Sequence, residues 1–412
     1  MPTQAEIIDA LHFDLQYWTN QPTSAGDPAY QMTYKFETSQ PSDLWDTYSN
    51  WSPLSAAEKA AYRAALDHVE TLINVEFVEH DNALHGTDPT LNVGIVDIPG
   101  NFTGYGGMYY YASGGNLTKY DGYTVFETNN LANEPYLILH EIGHALANDH
   151  PFDGAASLPL AYDNSKYTLM SYDANPDNGL YSDAMQVFDI LALQARWGAN
   201  TTHENGNTSY TGNRTNTVDS IWDAGGTDTF DANGRLNDVD FDLREGTFSS
   251  FDDVNDVSIA YGVVIENATG GAGDDTIKGN DGENLLKGRA GADVIRAEKG
   301  ADTLKGDKGR DKLFGDNGAD TLNGGKGKDT LTGGNGGDTF VFTDGFGKDT
   351  IKDFLSGPDM LEMGMTGINS MSDLQAIATQ DGNHLVLDFV GKDILTLRNS
   401  IFDDLTDAVL FV

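Results

Sequence analysis

Residues 140 to 150 read His-Glu-Ile-Gly-His-Ala-Leu-Ala-Asn-Asp-His. On a helix His140 and His144 stand at i and i+4 on one face, so both imidazoles can reach one tetrahedral zinc at about 2.0 to 2.1 Å. Glu141 then lies beside the open coordination position, where a carboxylate can take a proton from water whose pKa the metal lowers toward about 7. A bare HExxH is only moderately specific, because helices often carry such residues on a solvated face. His150, six residues further on, makes the set far more specific. The other six histidines, His12, His68, His80, His85, His203 and His384, show no such spacing and read as surface or packing residues. Cysteine is absent, which excludes a disulfide framework, a thiol nucleophile and a thiolate metal site. Any metal must sit on histidine and carboxylate.

A second constellation is a repeat with a period of nine. Aligned from Gly270, eight units run without a gap: GGAGDDTIK, GNDGENLLK, GRAGADVIR, AEKGADTLK, GDKGRDKLF, GDNGADTLN, GGKGKDTLT and GGNGGDTFV. The fourth position is always glycine, at Gly273, Gly282, Gly291, Gly300, Gly309, Gly318, Gly327 and Gly336. The sixth is aspartate except at Asn284, and the eighth is always apolar, from Ile277 to Phe340. A flexible glycine-rich linker predicts neither regularity. A six-residue turn needs glycine where φ is positive, and three residues then form a short strand whose middle side chain points inward. Two nonapeptides make one coil, so residues 18 apart should stack, with Asp275, Asp293, Asp311 and Asp329 in one ladder and Asn284, Asp302, Asp320 and Asp338 in the other. Stacked carboxylates repel unless a hard cation sits between them, where carbonyls of the glycine turns (Gly273, Gly291, Gly300, Gly309, Gly318, Gly327) complete an all-oxygen shell suited to calcium. WDAGGTDTF, residues 222 to 230, has the same flavour and adds Asp223 and Asp228 as calcium candidates.

Elements must position these groups. Ser55 followed by AAEKAAYRAALDHVETLI reads as an amphipathic helix with a capping box closed by Glu58. A second helix should begin near Asn133 and carry EPYLILHEIGHAL, and a third, SDAMQVFDILALQARWG, should end at Gly198. LNVGIVDI, GMYYYASG and YTVFET look like strands. Glycines, thin up to about residue 200, turn dense and periodic after 270, which separates two architectures.

The chain has 412 residues, enough for two or three domains, and 24 Lys plus Arg against 64 Asp plus Glu give a net charge of −40. Such a field repels nucleic acid and anionic membrane surfaces. Residues 1 to 200 hold 6 basic and 26 acidic residues, whereas residues 270 to 341 hold 11 and 13. Calcium in the repeat must therefore be held by local geometry rather than by a bulk acidic field. No run of about 18 apolar residues exists, and MPTQAEIIDALHFDLQYW lacks a basic start and an apolar h-region. A soluble chain without an ordinary N-terminal signal is expected.

The nonapeptides resemble the calcium-binding repeat of RTX proteins, which forms a parallel β-roll. HEIGHAL, then His150-Pro151, then Leu169-Met170-Ser171-Tyr172, then FDILALQARWGAN and then the array together resemble the serralysins, secreted bacterial RTX metalloproteases of the metzincin group. The resemblance implies an α+β zinc metalloprotease (metzincin-like) domain over 31–200 and an all-β parallel β-roll over 201–365. It also implies a C-terminal β cap with secretion signal over 366–412, and an N-terminal segment over 1–30 that some members carry as a propeptide. Carried over by residue, it implies one catalytic Zn2+ on His140, His144, His150 and Tyr172, with Glu141 as general base. Tyr172 would also stabilise the oxyanion, Met170 would form an apolar floor, and several structural Ca2+ would occupy the roll. GGMYYYAS, residues 106 to 113, would be an edge strand binding extended peptides. Implied partners are protein or peptide substrates and a type I (ABC) secretion apparatus that reads the acidic-then-apolar ending DDLTDAVLFV. A secreted extracellular monomer is expected, with no nucleic acid and no membrane anchor.

The array departs from its pattern at Ala297, in place of the first glycine, and at Asn284, and the zinc motif departs at Ala147, which stands where glycine is expected. If it is left-handed, alanine costs roughly 1 to 2 kcal/mol, unless Asn148 takes that conformation instead. Ala147 is the sole support for a second reading, a catalytically impaired calcium-dependent RTX binding or adhesion protein. A third, a zinc hydrolase of non-peptide substrates, is separated from the first by casein against a small ester.

Overall fold

The computed structural model describes residues 1–12, 28–41, 44, 48–81, 90–100, 103–113, 116–127, 131–153, 156–212, 218–252, 255–389 and 392–412. Of the N-terminal segment 1–30, residues 13–27 lie outside the described residues, as does His85. The chain forms two compact units, the first made of Met1–Asn205, Thr215–Ala224 and Ser258–Val263, the second of Gly206–Arg214, Gly225–Val257 and Val264–Val412.

The first unit is built on a sheet of β1 (Tyr30–Phe36), β2 (Ser49–Ser52), β3 (Val75–Glu79), β4 (Leu91–Asp97), β5 (Gly104–Ser113) and β6 (Asn116–Phe126). Its order is β3-β1-β4-β6-β5, with β2 on β4. β4 is buried over nearly its whole length, as an apolar strand covered on both faces must be. Among the described residues only β6 flanks β5, antiparallel, so β5 is an edge strand of this sheet, as expected. The helix Ala56–Leu72 begins with both capping-box hydrogen bonds, Ser55 N–H to Glu58 Oε2 at 2.8 Å and Glu58 N–H to Ser55 Oγ at 3.3 Å. It is tied to the sheet by a buried Tyr62–Thr124 hydroxyl contact of 2.9 Å.

The histidine-bearing helix spans Pro135–Ala145, with proline in its first turn, where a missing N–H costs nothing. The third helix is shorter than its pattern predicts: Val187–Trp197, not from Ser182. Gln186 caps it because the Asp189 carboxylate turns back to accept the Gln186 N–H at 2.9 Å, which ends the helix at that residue. Gly198, at φ 78°, closes it as expected.

In the second unit the nonapeptides coil into two parallel sheets. Register steps by 18 residues on both faces: Thr276↔Val294↔Lys312↔Thr330 on one and Leu285↔Thr303↔Thr321↔Thr339 on the other. The eighth-position side chains, Ile277, Leu286, Ile295, Leu304, Leu313, Leu322, Leu331 and Phe340, are fully buried between the sheets. The fourth-position glycines allow the coils to stack closely. At Gly309, φ is 154° and a Cβ would meet the Gly291 carbonyl oxygen at 1.5 Å. The stacking outlasts the nine-residue period, since Thr330 pairs with Thr350 and Thr339 with Met360. The C-terminal part adds the helix Met371–Ile377 and four strands, 378–381, 384–388, 394–397 and 409–411, which extend the same two sheets.

Candidate metal centres

The histidine helix buries His140, Glu141 and His144. Beyond Ala145 the chain turns sharply because Ala147 itself adopts the left-handed conformation, at φ 74°. Asn148 does not, contrary to the alternative above. It hydrogen-bonds its N–H to the Gly143 carbonyl, which closes the turn without a positive φ of its own. This turn brings His150 back to the helix. The side-chain nitrogens of His140, His144 and His150 lie within 4.8 Å of one another, with Nε2 of His150 3.1 Å from that of His144 and 3.3 Å from that of His140.

Each ring is oriented from behind. His140 Nδ1 lies 2.9 Å from the Leu169 carbonyl, His144 Nδ1 2.9 Å from the Asn148 carbonyl and His150 Nδ1 2.9 Å from the Asp153 carboxylate. Carbonyls cannot donate, so Nδ1 of His140 and His144 carries the proton, and the carboxylate favours the same tautomer at His150. All three Nε2 lone pairs then face one another at distances where they can only repel. A cation relieves this, and a tetrahedral zinc with bonds of about 2.0–2.1 Å needs nitrogens about 3.3–3.4 Å apart, close to what is found. Burial, with the neighbouring histidines adding to it, holds His144 well below its ordinary pKa, and burial pulls His140 down to about 4. Both are thus kept neutral for a metal.

Glu141 is pushed up to about 8 by burial, against a hydrogen bond from the Gly106 N–H. β5 passes so close that a Cβ on Gly106 would lie 2.1 Å from the Glu141 carbonyl oxygen, so only glycine fits there. A cavity of about 350 Å³ beside Glu141 is lined by Thr103, Tyr136, Leu137, Tyr172 and Tyr181. The half-exposed Tyr172 ring lies 4.6 Å from the His150 ring and 5.8 Å from that of His140. Met170 is fully buried, its sulfur against Gly143 on the helix.

Asp189 carries no motif and was missed by the sequence reading. Fully buried, it accepts the Thr168 hydroxyl and the Leu169 N–H, each at 2.6 Å, and so fixes the segment whose Leu169 carbonyl orients His140. Burial pushes its own pKa up to about 6. A buried carboxylate at the N-terminus of an apolar helix was the available signal.

In the roll, the sixth-position residues form the two expected ladders. Each backbone N–H donates to Oδ1 of the residue one coil on: Asp275 to Asp293, Asp293 to Asp311 and Asp311 to Asp329 at 2.9 Å, and Asn284 to Asp302 at 2.7 Å. The other oxygen, Oδ2, is buried without a hydrogen-bond partner at Asp293, Asp302, Asp311, Asp320, Asp329 and Asp338. Asp302 belongs to this group although its unit begins with Ala297 instead of glycine. Asp275 differs: its Oδ2 accepts the Gly271 N–H at 2.7 Å. Asp349, outside the ungapped array, continues the first ladder, accepts the Asp329 N–H at 2.9 Å and has an equally unpartnered Oδ2. Gly-Lys-Asp-Thr at 347–350 was its signal. Burial pushes Asp293, Asp302 and Asp311 up to about 7 and Asp349 to about 8. An oxygen-seeking dication fits such a row of orphaned carboxylate oxygens. Asp223 is buried in the first unit, and Asp228 in the second accepts the Thr208 N–H at 2.7 Å.

Residues 189–397 match the family model described as Peptidase M10 serralysin C terminal. Serralysin of Photorhabdus luminescens is 31% identical over 61% of this chain and 58% of its own. That of Proteus mirabilis is 32% identical over 62% and 60%, and metallopeptidase AprA of Pseudomonas marginalis 33% identical over 62% and 61%. The chain thus spans about three fifths of the length of these curated relatives. With half of its residues matched by the family model and its roll built as that array requires, the chain belongs to the serralysin family.

Proposed function

We propose that the protein is a secreted, calcium-stabilised zinc endopeptidase that hydrolyses peptide bonds in proteins. In this reading residues 31–200 form a metzincin-like catalytic domain, 201–365 a calcium-binding roll and 366–412 a cap that also serves a type I secretion apparatus. The observation that carries it is the meeting of three Nε2 lone pairs, each ring fixed from behind, next to a buried glutamate. His140, His144 and His150 would hold the zinc, with Tyr172 beside them, and the bound ion would supply a Lewis acid that acidifies water and polarises a carbonyl.

Near a dication Glu141 ionises at neutral pH despite its burial, takes the proton of the attacking water and returns it to the leaving amine. The Tyr172 hydroxyl donates to the developing oxyanion. β5 offers its open edge to an extended peptide, which lies as a further strand across the glycines that flank Glu141. The names of its relatives, serralysin and metallopeptidase, favour the same activity.

Casein hydrolysis by the full chain refolded with calcium and zinc tests it. Glu141→Gln should lose about 10²–10⁴-fold in kcat/KM while retaining one zinc, and chelation should abolish activity. Wild-type protein that binds zinc, folds its roll and leaves casein intact would transfer the assignment to a binding or adhesion protein. Turnover of a small ester alone would make it a non-peptide hydrolase.

A further inference from the structure

The roll has two turn edges, and they are not electrically alike. Turns 279–284, 297–302, 315–320 and 333–338 form one, on which cations are matched: Lys278 pairs with Glu298 at 2.9 Å, Arg296 with Asp316 at 2.7 Å and Lys299 with Asp281 at 2.6 Å. Turns 270–275, 288–293, 306–311 and 324–329 form the other. Apart from the ladder aspartates, they carry Arg289, Lys308, Arg310, Lys326 and Lys328 against Asp274 and Asp307, and Lys287 and Lys305 lead into them. Among the described residues, Lys287, Lys305, Lys308 and Lys326 have no ion-pair partner, in a chain of net charge −40.

These lysines are also stacked on their own kind. Lys287 is in register with Lys305, and Lys308 with Lys326, one strand spacing of about 4.8 Å apart. Like charges directly opposite one another destabilise a sheet. A groove of about 670 Å³ runs along this edge, bounded by Lys287, Arg289, Lys308 and Lys326, with Asp307 and Asp344 as its acidic lining residues. These two stacked pairs, each with its cations one strand spacing apart, are complementary to a chain whose anionic charges recur at a similar spacing.

We propose that this groove binds a linear 1,4-linked polyuronate, an acidic polysaccharide with one carboxylate per sugar. Spacing and charge density favour it over other polyanions. Each strand of duplex nucleic acid presents a phosphate about every 3.4 Å of helix axis and, as the denser polyanion, the duplex is the more strongly repelled by a net charge of −40. Same-face carboxylates of an extended acidic peptide recur only every two residues, about 6.6 Å. One sugar per coil comes closest to the strand repeat.

Fluorescence anisotropy of labelled hexagalacturonate with the full calcium-loaded chain tests this independently of proteolysis. Saturable binding is expected at about 20 mM salt and weaker binding at about 0.15 M. The combined Lys287→Glu, Lys308→Glu and Lys326→Glu variant should raise Kd at least about tenfold, and the corresponding triple Gln variant, which adds no acid that could divert calcium, about three- to fivefold. Lys299→Glu, on the matched edge, should change Kd less than about twofold. Absence of saturable binding at low salt, an equal loss in Lys299→Glu, or tighter binding of oligodeoxythymidylate or hexaglutamate would overturn the proposal.

Discussion

Ala147 sits at φ 74° with its side chain fully buried, in the one conformation where alanine is worse than glycine by roughly 1–2 kcal/mol. The turn forms nonetheless, because the surrounding bonds outweigh that penalty. Ala147 and Asn148 donate to the His144 and Gly143 carbonyls, and the Trp197 indole donates to Leu146 at 2.9 Å. Ala147→Gly should therefore stabilise the first unit, raising its melting temperature by about 2–4 °C in calorimetry and leaving zinc affinity unchanged. A lower melting temperature would show that the buried methyl contributes more by packing than its backbone costs. The substitution is therefore weak support for a relic site: the three imidazoles still converge.

Between elements, Asp189 is one link to the candidate zinc site. It joins the first turn of the helix Val187–Trp197 to Thr168 and Leu169, and through the Leu169 carbonyl to His140. Asp189→Asn should weaken zinc binding about tenfold in competition with a chelating dye, as loss of outer-shell support commonly does. An unchanged affinity would reduce Asp189 to a packing role. Along the two ladders, seven buried Oδ2 atoms lack partners among the described residues, and each costs about 1–3 kcal/mol if left so. Together they rival the whole stability of a typical domain, on the order of 5–15 kcal/mol, which is the reason we propose calcium as their partner. Asp349→Ala should lower the calcium stoichiometry by at least one in isothermal titration, a loss not expected if the ladder ended with the ungapped repeat.

Across the whole molecule, the roll couples folding to protons and, on the function proposed above, to calcium. Burial raises the folded pKa of Asp293, Asp302 and Asp311 to about 7, against about 3.9 in an unfolded chain. Between these values the folded state holds protons that the unfolded state has lost. Stability of the calcium-free roll therefore falls as pH rises from about 4 to about 8, Asp349 being the last of the ladder to lose its proton, and levels off above. Calcium bound by these carboxylates would displace those protons, so its affinity should rise with pH through the same window. Melts of calcium-free protein at pH 5 and pH 8 read the first effect, and calcium titrations in buffers of different ionisation enthalpy the second. A calcium-free roll more stable at pH 8 would contradict this account.

Local and periodic features were legible from sequence. The i, i+4 histidines, the Ser55 capping box, the nine-residue period and the buried eighth position all depend on residues near in sequence or on a fixed repeat, where backbone geometry dictates the outcome. Tertiary structure alone revealed which residue of Ala147-Asn148 turns left-handed, that Asp189 stands behind His140, that Asp275 is already satisfied while Asp349 is not, and that one edge of the roll is left unmatched in charge. Each of these depends on which groups from distant turns come to face one another. Hydrogen-bond completeness and charge pairing are properties of that packing, and no single segment of the chain contains them.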